Sequence, residues 1–217
     1  MDLAQISHWT RTPKPRKDDA KMAAKSQYPM ASKASARKLT YDDFVNFPDD
    51  GLRHELIDGE HYVTPSPATK HQRVSGRLFV ALFNYFEASP IGEVFHAPFD
   101  VVLSHFDVVE PDLLIVLAGQ SEIVTDKHVR GAPAIVVEIL SPGTRRVDQR
   151  IKRDLYERVG VREYWLVDPE RDAVVIHRRS AEGTLGGEAE LLASSGDELR
   201  SSLLPDWSIE LRALFKQ

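Results

Sequence analysis

Residues 134–143, AIVVEILSPG, decide how this chain folds. An apolar run of this length closed by a turn signal describes a buried β-strand. Glu138 interrupts the run, and Ser141-Pro142-Gly143 supplies the turn. After the turn, residues 146–159 (RVDQRIKRDLYERV) put Ile151, Leu155 and Val159 on one helical face, and Gly160 stops the helix. Residues 163–167 (EYWLV) form the next strand. Strand, helix and strand in that order are the heart of a mixed α/β (α+β) domain.

Working outward, residues 112–117 (DLLIVL) make another strand directly after Pro111, and residues 95–103 (FHAPFDVVL) one before it. Residues 173–178 follow a turn around Pro169 as a fifth strand, with weaker strand signals at 190–193 and 207–211. Residues 70–88 are helical, because Val74, Leu78, Ala81, Leu82, Tyr85 and Phe86 recur with a 3.6-residue period. Pro90 and Gly92 close that helix. Residues 54–67 (HELIDGEHYVTPSP) form a hairpin turning at Asp58-Gly59, with Glu55 and Glu60 flanking the turn. The folded part begins at residues 39–48 (LTYDDFVNFP), where Thr40 and Asp43 resemble a capping box. Tyr41, Phe44 and Val45 give that short helix one apolar face.

Charge divides the chain. Residues 1–38 hold nine Lys/Arg and three Asp/Glu, a charge of +6, whereas the rest hold 19 and 30, a charge of −11. A basic start rich in Ala, Ser, Lys and Pro beside an acidic body reads as a disordered tail (1–38) on one folded domain (39–217). With no cysteine in the sequence, disulfides, thiolate metal sites and a cysteine nucleophile are excluded, which fits the cytoplasm. No apolar run approaches the roughly 20 residues of a membrane helix, and the N-terminus lacks the apolar centre of a signal peptide.

Chemistry enters with the carboxylates. Asp112 opens an apolar strand, and Glu138 lies near the end of another. A buried carboxylate must be protonated, paired or metal-bound. Two brought together repel unless a cation lies between them. Mg²⁺ suits such a pair, since it takes one or two carboxylates plus water and phosphate oxygens. Lys152 flanks the buried face of the following helix and can reach over with its flexible stem. Arg145, Arg146, Arg150 and Arg153 form a local basic cluster where a polyanion could dock.

Several residues have plainer readings. Glu138 could pair with Lys152 or an arginine, and Asp112 could serve the turn before its strand. Asp148 reads as a cap at its helix start, and His71 as a capping or packing residue. Tyr156, Tyr164 and Trp165 read as core, and Ser141 lacks the partners of a nucleophile.

Pro111-Asp112, VEILSP at 137–142 and DQRIKRDLYERVGVREYWLVDP at 148–169 resemble the Uma2 family of restriction endonucleases. HELIDGE at 54–60 and the Ser-Pro and His71 before the long helix match as well. The resemblance spans residues 39–212, and it places the chain in the PD-(D/E)XK nuclease superfamily. It implies a central mixed β-sheet flanked by helices and a metal-dependent phosphodiesterase. Asp112 and Glu138 match the two metal acids, and Glu55 the extra acid supplied by the N-terminal part. Leu140 stands two residues after Glu138, where the superfamily keeps its lysine, and Lys152 matches the lysine that this family supplies from the next helix.

The expected function is therefore hydrolysis of DNA phosphodiesters by a Mg²⁺- or Mn²⁺-dependent endonuclease in the cytoplasm. Asp112, Glu138 and Lys152 carry the chemistry, Asp112, Glu138 and Glu55 hold metal, and Arg145, Arg146 and Arg150 meet the nucleic acid. DNA is the expected partner, with no membrane. A homodimer pairing two sites would suit double-strand cleavage. The rival is an inactive nucleic-acid-binding or scaffold module with the same fold. A third reading is hydrolysis of RNA or a nucleotide.

Overall fold

The computed structural model describes residues 37–187 and 190–216. The basic stretch assigned to a tail therefore lies, but for its last two residues, outside the described residues. A short helix α1 (Tyr41–Phe44) begins with the full capping box of Thr40 and Asp43. Its apolar face is not a core face, since none of its residues is buried and Val45 is 57% exposed.

Strands β1 (Arg53–Ile57) and β2 (Glu60–Thr64) form the expected hairpin. Asp58 and Gly59 have φ of 52° and 74°, positive at both central positions as a type I′ turn requires. Helix α2 (Thr69–Ala88) buries Val74, Leu78, Leu82 and Phe86, a four-residue spacing that keeps one face on the core. Strand β3 (Gly92–His96) follows, then β4 (Val101–Ser104) and β5 (Asp107–Val109).

Here the structure corrects the sequence reading, which took residues 95–103 as one strand. The Ala97 N–H still donates to the Asp112 carbonyl at 3.1 Å, one step beyond the His96–Leu113 pair, but Pro98 has no N–H to carry the ladder on. The chain breaks there and passes from one sheet to another. The strands that follow are β6 (Leu113–Leu117), β7 (Val129–Arg130), β8 (Ile135–Ile139), β9 (Glu163–Asp168), β10 (Ala173–Arg179) and β11 (Leu185–Gly187). β3 belongs to the sheet β11-β10-β9-β8-β6-β3, and β4 to the sheet β2-β1-β5-β4-β7. Short strands β12 (Leu191–Leu192), β13 (Glu198–Arg200) and β14 (Ser208–Glu210) precede helix α4 (Leu211–Phe215).

β8 pairs antiparallel with β6 and parallel with β9. Parallel neighbours need a crossover, and the helical segment between them supplies it. That segment is not uniformly α-helical as expected: Val147–Lys152 is π-helical, and α3 (Arg153–Val159) continues it. Gly160, at φ 96°, ends α3 in the left-handed region. The Gly160 N–H donates to the Glu157 carbonyl and the Val161 N–H to the Tyr156 carbonyl, a Schellman stop.

The alternation of β8 splits the core. Ile135, Val137 and Ile139 pack with Val74, Leu78, Leu82 and Trp165 on the α2 side. Val136 and Leu140 pack with Leu114, Leu155, Tyr156 and Tyr164 on the α3 side. Among the described residues, no helix is long and apolar enough to cross a membrane.

Candidate active site

The register of β6 and β8 pairs Leu113 with Val137 and Leu114 with Val136. One step further, it sets Asp112 opposite Glu138. By alternation Asp112 shares a face with Leu114, and Glu138 with Val136 and Leu140, which is the α3 face. Lys152 reaches the same place from the π-helical segment. Asp112, Glu138 and Lys152 are 4%, 3% and 3% exposed.

Glu138 Oε1 accepts from Lys152 Nζ at 3.0 Å and from the Tyr156 hydroxyl at 2.9 Å. Lys152 Nζ also lies 2.8 Å from Glu55 Oε1 and 3.7 Å from Asp148 Oδ1. Asp112 is held differently. Its Oδ1 accepts from Arg53 Nη1 at 2.9 Å, its Oδ2 from the Ile139 N–H at 2.8 Å, and His71 Nε2 is 3.1 Å from Oδ2. Arg53 Nε pairs with Glu110 at 2.8 Å, and the Glu110 N–H donates to Glu55 Oε1 at 2.9 Å.

The charges do not balance. Glu55, Glu110, Asp112, Glu138 and Asp148 face two permanent cations, Arg53 and Lys152, with His71 a third only when protonated. Burial pushes Glu138 well above the usual carboxylate range; Lys152 opposes this, and Asp148, Asp112 and Glu55 add to it. Burial likewise raises Asp148, and it raises Glu110 to about 7 against the opposing charge of Arg53. Burial also works against the charge of Asp112, but His71, Arg53 and the Ile139 N–H overcome it and hold that carboxyl below its usual value. Burial disfavours the Lys152 ammonium, yet Glu138, Glu55 and Asp148 outweigh it and keep the lysine charged. Excess buried negative charge is costly until protons or a cation offset it.

Asp112, Glu138 and Lys152 open together onto a pocket of about 180 Å³, with Arg53, His71 and Asp148 beside them. Residues 64–68 and 141–144 complete its walls. A larger cavity, of about 530 Å³, lies by Phe83, Phe86 and Val116. Among the described residues its lining holds Glu87 and Glu93 but no Lys, Arg or His, so volume is a poor guide to the chemistry here.

The other expected residues separate. Glu55 is absent from the pocket lining and serves as an anchor for Lys152. Arg145 is committed to Asp168 at 2.6 and 3.1 Å and to Glu170 at 2.8 Å, which cancels its charge for a polyanion. Arg146 and Arg150 are exposed. Arg53 went unmarked in the sequence, although it stands two residues before Glu55 in one strand. His71 and Asp148, read as helix-start residues, belong to the site. Asp148 and Tyr156 lie four residues either side of Lys152, the spacing that puts helical neighbours on one face.

The donor set suits a hard divalent ion. Among the described residues, no three His, Asp or Glu side chains form a ready cage. Two carboxylates leaving most positions to water and phosphate match the habit of Mg²⁺.

Residues 41–212 match the Uma2 family, described as "putative restriction endonuclease". No curated protein matches the chain. Among solved structures, one described as a "putative nuclease belonging to DUF820" from Anabaena variabilis superposes with a TM-score of 0.69. It is 18% identical, and the match covers 82% of this chain and 97% of that one.

Proposed function

This chain belongs to the Uma2 family, and we infer that it is a divalent-metal-dependent endonuclease hydrolysing DNA phosphodiester bonds. The observation that carries the reading is the convergence of Asp112, Glu138 and Lys152 on one pocket with surplus negative charge. A Mg²⁺ or Mn²⁺ ion held by Asp112 and Glu138 would offset that charge, polarise a phosphate and lower the pKa of a water.

The chain's own groups set the geometry. Arg53, His71 and the Ile139 N–H fix Asp112. The Tyr156 hydroxyl fixes Glu138. Two of the three Lys152 N–H donors go to Glu55 and Glu138, leaving one for a pocket water or a phosphate oxygen. In the reaction a water oxygen bonds to phosphorus, the ester P–O bond breaks, and the water's proton passes to the leaving alkoxide. Leu140 does not remove the lysine function, because the helix supplies Lys152 on the same face.

The inactive-module reading draws on one observation: Asp112 is paired with Arg53 rather than left facing Glu138. A cleavage assay on plasmid, single-stranded DNA and RNA, titrated with Mg²⁺ and Mn²⁺, separates the two. Parent protein should nick plasmid only with metal, while Asp112→Ala and Glu138→Ala should not. Equal cleavage by parent and variants would refute the assignment.

A further inference from the structure

We propose that the exposed face of α2 beside the pocket is the track on which the DNA backbone lies, held by Lys70, Arg73, Arg77 and Lys216. The proposal rests on the nuclease reading and adds the surface that reading lacks, since Arg145 is neutralised by Asp168 and Glu170.

Lys70, Arg73 and Arg77 recur at spacings of three and four, so they share one face of a 20-residue helix. Arg73 is exposed, and among the described residues its side chain has neither an ion pair nor a hydrogen bond. Arg77 Nη1 donates to the Leu214 carbonyl at 3.1 Å and to the Lys216 carbonyl; these acceptors are neutral and leave its charge uncancelled. Lys70 pairs with Asp172 at 2.8 Å, with both side chains more than two-fifths exposed. Such a pair is weak enough for a phosphate to displace.

These residues line a groove of about 250 Å³ between α2 and α4. Among the described residues, four cations face it and no carboxylate does. On a body of charge −11, a local positive strip is what steers a polyanion to one place. From Lys70 to Arg77 the helix rises about 10 Å, close to the axial length of three phosphates on one strand of a duplex. The strip begins at the same N-terminal turn of α2 that serves the chemistry: Lys70 lines the groove, and His71 lines the active pocket.

The test is binding without cleavage, by fluorescence anisotropy in EDTA, with a labelled DNA duplex, its single strand and an RNA of the same sequence. Full-length parent is compared with the doubles Lys70→Ala/Arg73→Ala and Lys127→Ala/Arg130→Ala, which remove equal charge from different faces. Thermal melting confirms that each is folded. The α2 double should bind duplex DNA about tenfold more weakly, and its log–log salt slope should flatten by nearly two, at about 0.9 per phosphate contact. The Lys127/Arg130 double should match the parent. Equal affinity and slope for the α2 double and parent would overturn the track. So would an equal loss in both doubles, or a loss confined to RNA. Failure of the metal-dependent cleavage assay would count against the nuclease reading and leave this result standing by itself.

Discussion

Two buried glutamates lie on the adjacent parallel strands β8 and β9, Glu138 at 3% and Glu163 at 1% exposure. Glu163 opens its strand and is matched. Arg178 Nε donates to it at 3.1 Å, the Ser202 hydroxyl at 3.1 Å and the Trp165 indole at 2.9 Å. Among the described residues a guanidinium answers this carboxylate, and neutral donors complete the shell. Glu138 sits near the carboxyl end of its strand, where open α/β sheets place ligands. It shares one lysine with Glu55 and has Asp148 and Asp112 as further like-charged neighbours. Burial is common to both acids. The local charge balance and the pocket beside Glu138 are what set it apart, and the proposed function makes it the working acid of the two.

The largest effect that could break this contrast is on cleavage. Glu138→Ala should lose at least about a hundredfold of metal-dependent rate. Glu163→Gln should keep the parent's rate and instead lose about 1–3 kcal/mol of stability, read by urea unfolding. Loss of cleavage in both variants to the same extent would erase the distinction.

Next comes Lys152. Lys152→Ala leaves Glu55, Glu138 and Asp148 buried together without their cation, so unfolding free energy should fall by about 3–5 kcal/mol. Arg178→Ala should cost less, because that side chain is 30% exposed and water can reach the acid it leaves.

Metal should sharpen the contrast from the other direction. At a hundredfold excess over its Kd, Mg²⁺ or Mn²⁺ should stabilise the parent by about 2.7 kcal/mol. The same addition should stabilise Glu163→Gln equally and Glu138→Ala hardly at all, as a thermal shift would show.

The smallest effect is on acid stability, away from the site. Burial raises the Asp168 carboxyl, but the hydrogen bond and charge of Arg145 hold it below its usual value. A folded pKa below the unfolded one means that this contribution is fully present above the unfolded pKa, about 3.9. It is lost as pH falls through the folded value. Arg145→Ala should therefore flatten the acid limb of the stability curve and leave the neutral plateau nearly parallel to the parent's. An unchanged acid limb would show that the pair carries no linkage.

What could be read in the sequence depended on local chemistry. The hairpin at Asp58-Gly59 and the Gly160 stop were legible because each needs positive φ at a fixed place. The strands around Glu138 and Trp165 were legible because both faces are buried. The split at Pro98 was not, because apolar residues continue on both sides of it while the two halves pair with different partners, β3 with β6 and β4 with β5 and β7. Within the site, Asp112 and Glu138 stood out as charges in apolar runs, and Lys152 as a cation flanking the buried face of the next helix. Arg53 and His71 did not, since their partner Asp112 is 59 and 41 residues away. The commitment of Arg145 was hidden for the same reason: Asp168, which pairs with it, arrives from the end of β9.

The central claim, that Asp112 and Glu138 share one divalent ion, is tested most directly by calorimetric titration of Mn²⁺ or Mg²⁺ into parent, Asp112→Ala, Glu138→Ala and Glu163→Gln. Saturable binding should appear in the parent and in Glu163→Gln, and weaken at least about tenfold in each of the other two. Undiminished affinity in Asp112→Ala or Glu138→Ala, or no saturable binding in the parent, would contradict it.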